Sequence, residues 1–296
     1  MPVADLVDQF GEAGGFSARK VAQALDILEA MVRGPTTVFV SFPASLVATG
    51  ARGALTELVR REWVDCLITT CGTLDHEIGR GLGAYYAGEF EYDDAELEKL
   101  NISRLGNVLV PEESYGKAIE GFMQKLLREI YRKGTRSLST KELCWAIGKK
   151  LGRRGSLLTW CYRNQVPIYI PAIFDGAVGY QVWSFWQEHK DFRIDEFRDE
   201  QELSDLVFGA KKTGALLIGG GVSKHHTIWW NQFRDGLDFA VGITTAVEYD
   251  GSLSGARIRE GISWRKVKPK ARQITVEGDA TILLPILVAG LLDRLA

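Results

Sequence analysis

Cysteine, methionine, histidine and proline are all scarce, with 4, 3, 4 and 8 copies among 296 residues. The cysteines, Cys66, Cys71, Cys144 and Cys161, form no C-x-x-C pair. That argues against a zinc site and for reduced thiols in a cytoplasmic protein. An excess of charge of one sign is also lacking. Lysine and arginine number 36 against 38 acidic residues, a net charge of −2. A chain wrapped in nucleic acid would carry a strong basic excess. Long hydrophobic runs are missing as well. The longest, Ala280 to Leu292, contains Pro285 and is too short to cross a bilayer. The N-terminus, Met-Pro-Val-Ala-Asp-Leu-Val-Asp-Gln, has no basic segment and no apolar core, so it does not read as a signal peptide. The expectation is a soluble, cytoplasmic protein with no metal, membrane or nucleic-acid partner.

What is present is ordinary for a globular chain: 46% hydrophobic, 25% charged and 10% aromatic residues. No linker, charge block or short-period repeat divides it, so residues 1–296 read as one domain. Short β-type runs alternate with helical stretches. Val21, Leu25, Leu28 and Val32 recur at helical spacing and predict a helix from about Ser17 to Val32. Strands are predicted at Thr36–Ser41, Val64–Thr70, Val166–Ile170, Ala215–Ile218, Phe239–Thr245 and Gln273–Val276. Helices are predicted at Ser45–Glu62, Ser114–Arg132, Lys141–Leu151, Glu200–Phe208 and Ala280–Leu295. Near-continuous apolar strands between helices imply an α/β fold, a doubly wound and mostly parallel sheet with helices on both faces. Ligands of such sheets bind at the carboxyl ends of the strands, where the strand order reverses. Thr69–Gly72, Asp175-Gly176, Gly219–Gly221 and Thr244-Thr245 fall at those ends.

Gly219-Gly220-Gly221 lets backbone amides approach a phosphate closely, or it makes a tight turn. It does not complete G-x-G-x-x-G, because Lys224 stands at the third glycine position. His225 follows at once and is a candidate general base, or a helix-start histidine bonded to backbone. Lys266, Lys268, Lys270 and Arg272 share strand parity, as a solvated basic face would. Lys266 beside Trp264 also suits a nucleophilic lysine, whose pKa neighbouring cations or desolvation can lower. In Asp75-His76-Glu77, the acids suit a cationic amine, or Asp75 caps the helix it precedes.

Taken together these segments resemble deoxyhypusine synthase over nearly the whole chain, from about Leu6 onward. The most specific pieces are Gly219-Gly220-Gly221-Val222-Ser223-Lys224-His225-His226, Asp250-Gly251-Ser252-Leu253-Ser254-Gly255-Ala256-Arg257 and Ser263-Trp264-Arg265-Lys266. Gly106-Asn107, Val110-Pro111, Pro171-Ala172 and Asp175-Gly176 agree. The resemblance implies a Rossmann-like NAD-binding fold. It also implies NAD-dependent oxidation of spermidine and passage of the aminobutyl group, as an imine on Lys266, to a lysine of the translation factor 5A precursor. It places His225 beside the amine, with Trp264, Glu260, Asp75, His76, Gly251 and Ser252 as substrate contacts. NAD falls to Thr70, Cys71, Gly72, Asp175, Gly220, Gly221, Thr245, Ala246, Asp279 and Ala280. The family forms homotetramers with active sites at subunit interfaces.

This chain departs from the eukaryotic pattern at several of these positions. Arg265 replaces a glycine, Tyr180 and Leu253 replace carboxylates, and His76, Gly242 and Trp229 replace a glutamate, a tyrosine and an asparagine. The N-terminal extension of eukaryotic members is expected to be absent. The segment Thr69–His76 looks archaeal or bacterial in type. That branch includes relatives which use other amines, so aminobutyl transfer to a small diamine, as in a homospermidine synthase, is the alternative reading.

Overall fold

Six parallel strands form the central sheet: β1 (Thr36–Ser41), β2 (Cys66–Ile68), β3 (Ile168–Tyr169), β4 (Lys212–Ile218), β5 (Leu237–Thr244) and β6 (Val267–Glu277). The computed structural model describes residues 1–296. The strand order is β6-β5-β4-β1-β2-β3 and every pairing is parallel. Read from the opposite edge, that is the 3-2-1-4-5-6 order of doubly wound nucleotide-binding sheets, with the reversal between β1 and β4.

Alternation along the strands sends side chains to two apolar layers. Val38, Val40, Leu216, Ile218, Val241 and Ile243 enter one, together with the helices Phe16–Arg33 and Ala280–Leu295. Phe39, Ala215, Leu217 and Ala240 enter the other, with Leu203, Val207 and Ile228 from the helices Glu196–Gly209 and Gly221–Gln232. Both faces are therefore covered, as near-continuous apolar strands require.

Several boundaries differ from the sequence expectation. Ser45–Glu62 is two helices, Ser45–Ala48 and Arg52–Arg60, because Gly50 lies at φ +94° between them. β6 is far longer than Gln273–Val276. Its shared parity from Lys266 to Arg272 also breaks. Leu237 pairs with Val267 but Phe239 pairs with Arg272, so two steps on β5 face five on β6. This bulge surrounds Pro269, which cannot donate to the ladder. Lys266 precedes the strand, and Lys268 instead pairs with Asp238 at 2.7 Å. Helices at Val3–Ala13 and Ala177–Glu188 had no prediction of their own, and those at Gly72–Leu82 and Gly221–Gln232 were implied only through a cap at Asp75 and a helix-start histidine at His225. Nor did the small antiparallel sheet formed by Tyr86-Ala87, Ile102–Leu105 and Val108–Pro111. No helix is long and apolar enough to cross a membrane.

Candidate functional site

The carboxyl edge of the sheet at the reversal carries the first element of the site. A cleft of about 210 Å³ opens there, lined by Pro43 and Ser45 after β1, Gly219 after β4, Thr245 and Ala246 after β5, and Asp279 and Ala280 after β6. Gly219 and Gly221 have φ of +69° and +72°, which only glycine adopts without strain. Gly220 has no room for a side chain. A Cβ there would lie 2.2 Å from Ser254 Oγ and 2.5 Å from its amide nitrogen. The helix Gly221–Gln232 starts from this turn with no side-chain cap, which leaves its first amides for another acceptor. Asp279 caps the helix Ala280–Leu295 through the Thr281 amide at 3.0 Å, yet remains exposed on the cleft rim.

Thr70, Cys71, Gly72 and Asp175 stand farther along the same edge, after β2 and β3, and do not line the cleft. Cys71 is fully buried, and burial, with Asp75 second, pushes its thiol up to about 12. It is packing, not a nucleophile.

A second, smaller pocket of about 90 Å³ contains Lys266, Trp264, Glu260, Lys224 and Leu253. The Lys266 ammonium lies 5.5 Å from the centre of the Trp264 ring, and Trp264 is 69% exposed. Lys266 reaches this position through a tight reversal in which its amide donates to Gly261 O at 2.8 Å. Arg265 occupies the left-handed region, at φ +56°. A glycine would take that conformation freely, which accounts physically for glycine at this position in the eukaryotic pattern.

His225 is exposed on the first turns of the helix Gly221–Gln232, and its ring makes no hydrogen bond within the chain. Loss of solvent, then the Lys266 ammonium, then His226 hold its pKa below the usual histidine value. His226 is engaged elsewhere, with Nε2 3.1 Å from Glu200 Oε1. The paired histidines thus separate: His225 is exposed, lines neither opening and feels the Lys266 charge, while His226 is tied to the helix Glu196–Gly209.

The loop between β5 and the short helical turn Ile258–Ile262 is the wall common to cleft and pocket. Ser254 lines the first and Leu253 the second. Thr244 Oγ1 donates to Ser254 O at 3.0 Å. Lys224 Nζ donates to Leu253 O at 2.8 Å and Ala256 O at 2.7 Å. Arg257 donates to Ala246 O at 3.1 Å and to Glu248 at 3.2 Å, while its amide donates to Glu260 at 3.2 Å. Gly251 and Ser252 form the exposed tip, where Asp250 accepts from the Ser252 amide. Lys224 and Arg257 were not singled out from the sequence. The available signal was Lys224 itself, a lysine where a nucleotide-binding turn would have glycine.

Asp75 and His76 belong to neither opening. Asp75 lies inside the helix Gly72–Leu82 and is 1% exposed. It accepts from the amides of Ala177 (3.0 Å) and Val178 (2.8 Å) and from the Tyr115 hydroxyl (2.9 Å). It therefore anchors the start of the helix Ala177–Glu188, which has no cap of its own, and not the start of its own helix. Burial pushes its carboxyl up, and the two amides oppose that shift. His76 Nδ1 lies 2.9 Å from Tyr85 Oη, and burial, with Arg80 second, lowers its pKa to about 4. Glu77 is fully buried against Arg52, Ser156 and the Leu158 amide. No group of three or more His, Cys, Asp or Glu side chains is arranged to hold a metal. A larger cavity, about 550 Å³, lies beside Asp199, Glu200 and His226. Two of its four lining acids are already bonded, Asp199 to the Thr140 and Lys141 amides and Glu200 to His226 and Trp230.

A family model described as "Deoxyhypusine synthase" matches residues 5–291. A protein named "Probable deoxyhypusine synthase" from Picrophilus torridus is 51% identical over 290 residues, 98% of this chain and 93% of its own length. One of the same name from Sulfolobus acidocaldarius is 50% identical over 284 residues, 96% and 91% of the two chains. A crystal structure of a deoxyhypusine-synthase-type protein from Entamoeba histolytica superposes with a TM-score of 0.71 at 19% identity, covering 96% of this chain and 91% of that one. At that identity the superposition speaks for the fold. The match along almost the full length, at half identity, settles the rest: the chain belongs to the deoxyhypusine synthase family.

Proposed function

We propose that this protein transfers the aminobutyl group of spermidine, through an imine on Lys266, to a lysine of the translation factor 5A precursor, with NAD as cofactor. The observation that carries the reading is the placement of Lys266, Trp264 and Glu260 in one pocket that shares a loop with the glycine-lined cleft. The cleft suits part of a dinucleotide. Its uncapped helix start and side-chain-free turn favour a phosphate, but about 210 Å³ falls below the ~300–1,000 Å³ of whole-ligand sites. Gly220, Gly221, Thr245, Ala246, Asp279 and Ala280 would hold that part. Thr70, Cys71, Gly72 and Asp175 extend the same edge. When bound, NAD supplies a hydride acceptor for the amine and returns the hydride at the end.

The side chains have distinct tasks. Trp264 offers an exposed ring face to a cationic chain, worth about 0.5–2 kcal/mol. Glu260 offers a carboxylate to an ammonium. His225, lacking any internal partner, takes the proton from the amine that is oxidised. The Lys266 amine then attacks the imine carbon and the remaining diamine leaves. The acceptor lysine attacks in turn and frees Lys266. The same reading carries a cytoplasmic homotetramer whose subunit is one domain.

The test is to incubate the protein with NAD and spermidine, and with either the 5A precursor or putrescine, and to follow both acceptors by mass spectrometry. An aminobutyl group on one lysine of the precursor, absent with Lys266→Ala, is expected. Homospermidine alone would move the acceptor to a small diamine. No product on either would overturn the reading, and transfer surviving in Lys266→Ala would overturn the covalent role.

A further inference from the structure

Lys224 is the one buried cation at the junction of the two openings. It is 5% exposed, although it lies beside the exposed His225. Its ammonium donates to no carboxylate. It is spent on two backbone carbonyls, Leu253 O at 2.8 Å and Ala256 O at 2.7 Å, both on the loop that forms the common wall. A lysine taken out of water for backbone carbonyls alone is expensive. Burial lowers its pKa to about 8, with Glu260 opposing and Arg257 adding to the shift. The cost needs a return in the fold or in the site.

Arg257 ties the two arms of the loop together through Ala246 O and Glu248, and Lys224 is a buried side chain that holds its inner stretch from another element. The loop contains no helix or strand, and its tip is exposed. Gly255 must pass Val247 O, where a Cβ would lie at 2.3 Å, and Ser254 closes on Gly220. Thr244 holds the Ser254 carbonyl between the two that Lys224 holds. Three carbonyls within four residues are thus fixed from the helix that follows β4 and from the end of β5. The same helix turn that carries Lys224 also carries His225.

We propose that Lys224 is a positioning residue, whose ammonium fixes the Leu253–Ala256 backbone so that the cofactor cleft and the Lys266 pocket hold one relative geometry. This rests on the reaction proposed above. Lys224 touches no reacting atom. It acts through the loop, so its loss loosens both walls together and disturbs the alignment on which a transfer between neighbouring sites depends.

The experiment compares Lys224→Met, Lys224→Gln and Lys224→Arg with the wild type. Amide hydrogen exchange across 247–257 is read in the absence of any substrate, and kcat and KM for amine-dependent NADH formation are read separately. Lys224→Met removes the donors while keeping the length. It should speed exchange of the loop amides by at least about tenfold, with the sheet strands unchanged. Its kcat should fall on the order of 10²-fold, and KM should rise for both NAD and amine. Lys224→Arg, which keeps a charged donor, should restore most of the loop protection and much of kcat. Lys224→Gln should fall between, and it carries the test if the Met variant fails to fold. Unchanged loop exchange in a folded Met or Gln variant would overturn the proposal, as would slowed turnover without loosening. Because exchange is measured on the free protein, it still decides the role of Lys224 if the enzyme uses another amine.

Discussion

Asp75 is where the sequence allowed two roles and the geometry supports a third, so its replacement is informative. Removing the carboxylate with Asp75→Ala strands three donors: the amides of Ala177 and Val178 and the Tyr115 hydroxyl. An unpaired buried donor costs roughly 1–3 kcal/mol, so the gross loss is about 3–6 kcal/mol, since two of the three are only half buried. Deleting a desolvated carboxylate returns part of this. Burial raises the pKa of Asp75, the direction that such a desolvation cost produces. A net loss of about 3 kcal/mol remains, or roughly 6–12 °C in Tm at about 2–4 °C per kcal/mol. Asp75→Asn keeps an acceptor for Ala177 and Tyr115 and loses the bond from Val178, so about a third of that loss is expected. Urea titration followed by tryptophan fluorescence, at fixed protein concentration, gives the stability. KM for the amine, measured on the folded variants, gives the other axis. If Asp75→Ala left the urea midpoint unchanged and raised only the amine KM, the anchoring argument would be refuted and Asp75 would be an amine ligand.

Replacing His225 with Ala should slow amine oxidation by about 10²–10⁴-fold. The wild-type rate should climb with pH through a midpoint below the usual histidine value, because loss of solvent and Lys266 both disfavour the imidazolium; an unchanged rate in His225→Ala would remove the base. His76 is held near pKa 4, against 6.5 for a free histidine, so between those values the unfolded chain binds a proton that the folded chain refuses. Its contribution is complete above pH 6.5 and is lost as pH falls toward 4. The stability difference between wild type and His76→Gln, from urea midpoints, should shrink over that window, and a flat difference would contradict the assigned burial.

Much of the scaffold was legible because it depends on local periodicity. Thr36–Ser41 is apolar and β-branched and forms β1 at those residues; Ala280–Leu295 likewise begins and ends as expected. The short strands β2 and β3 were overextended, since an apolar run reports burial and not the end of a ladder. The helix Ala177–Glu188 was missed because its start is held by Asp75, 102 residues away, and not by a neighbour with a cap signature. The bulge in β6 was invisible to a parity argument, because register belongs to the pair of strands.

The chemistry divides along the same line. The glycine turn, its two histidines and Ser263–Lys266 were recognisable in order along the chain, because side-chain chemistry and close spacing survive in a linear string. Their arrangement did not. That His225 stays exposed while His226 bonds Glu200 depends on which helix packs opposite. That Lys224 serves a loop some 30 residues onward depends on β4 and β5 lying side by side. Amino-acid order alone determined the family, the α/β scaffold and the reactive residue types. Tertiary structure decided which polar groups are consumed in holding the backbone and which remain available. Burial and hydrogen-bond partnership are properties of neighbours in space, and most of those neighbours are distant in sequence.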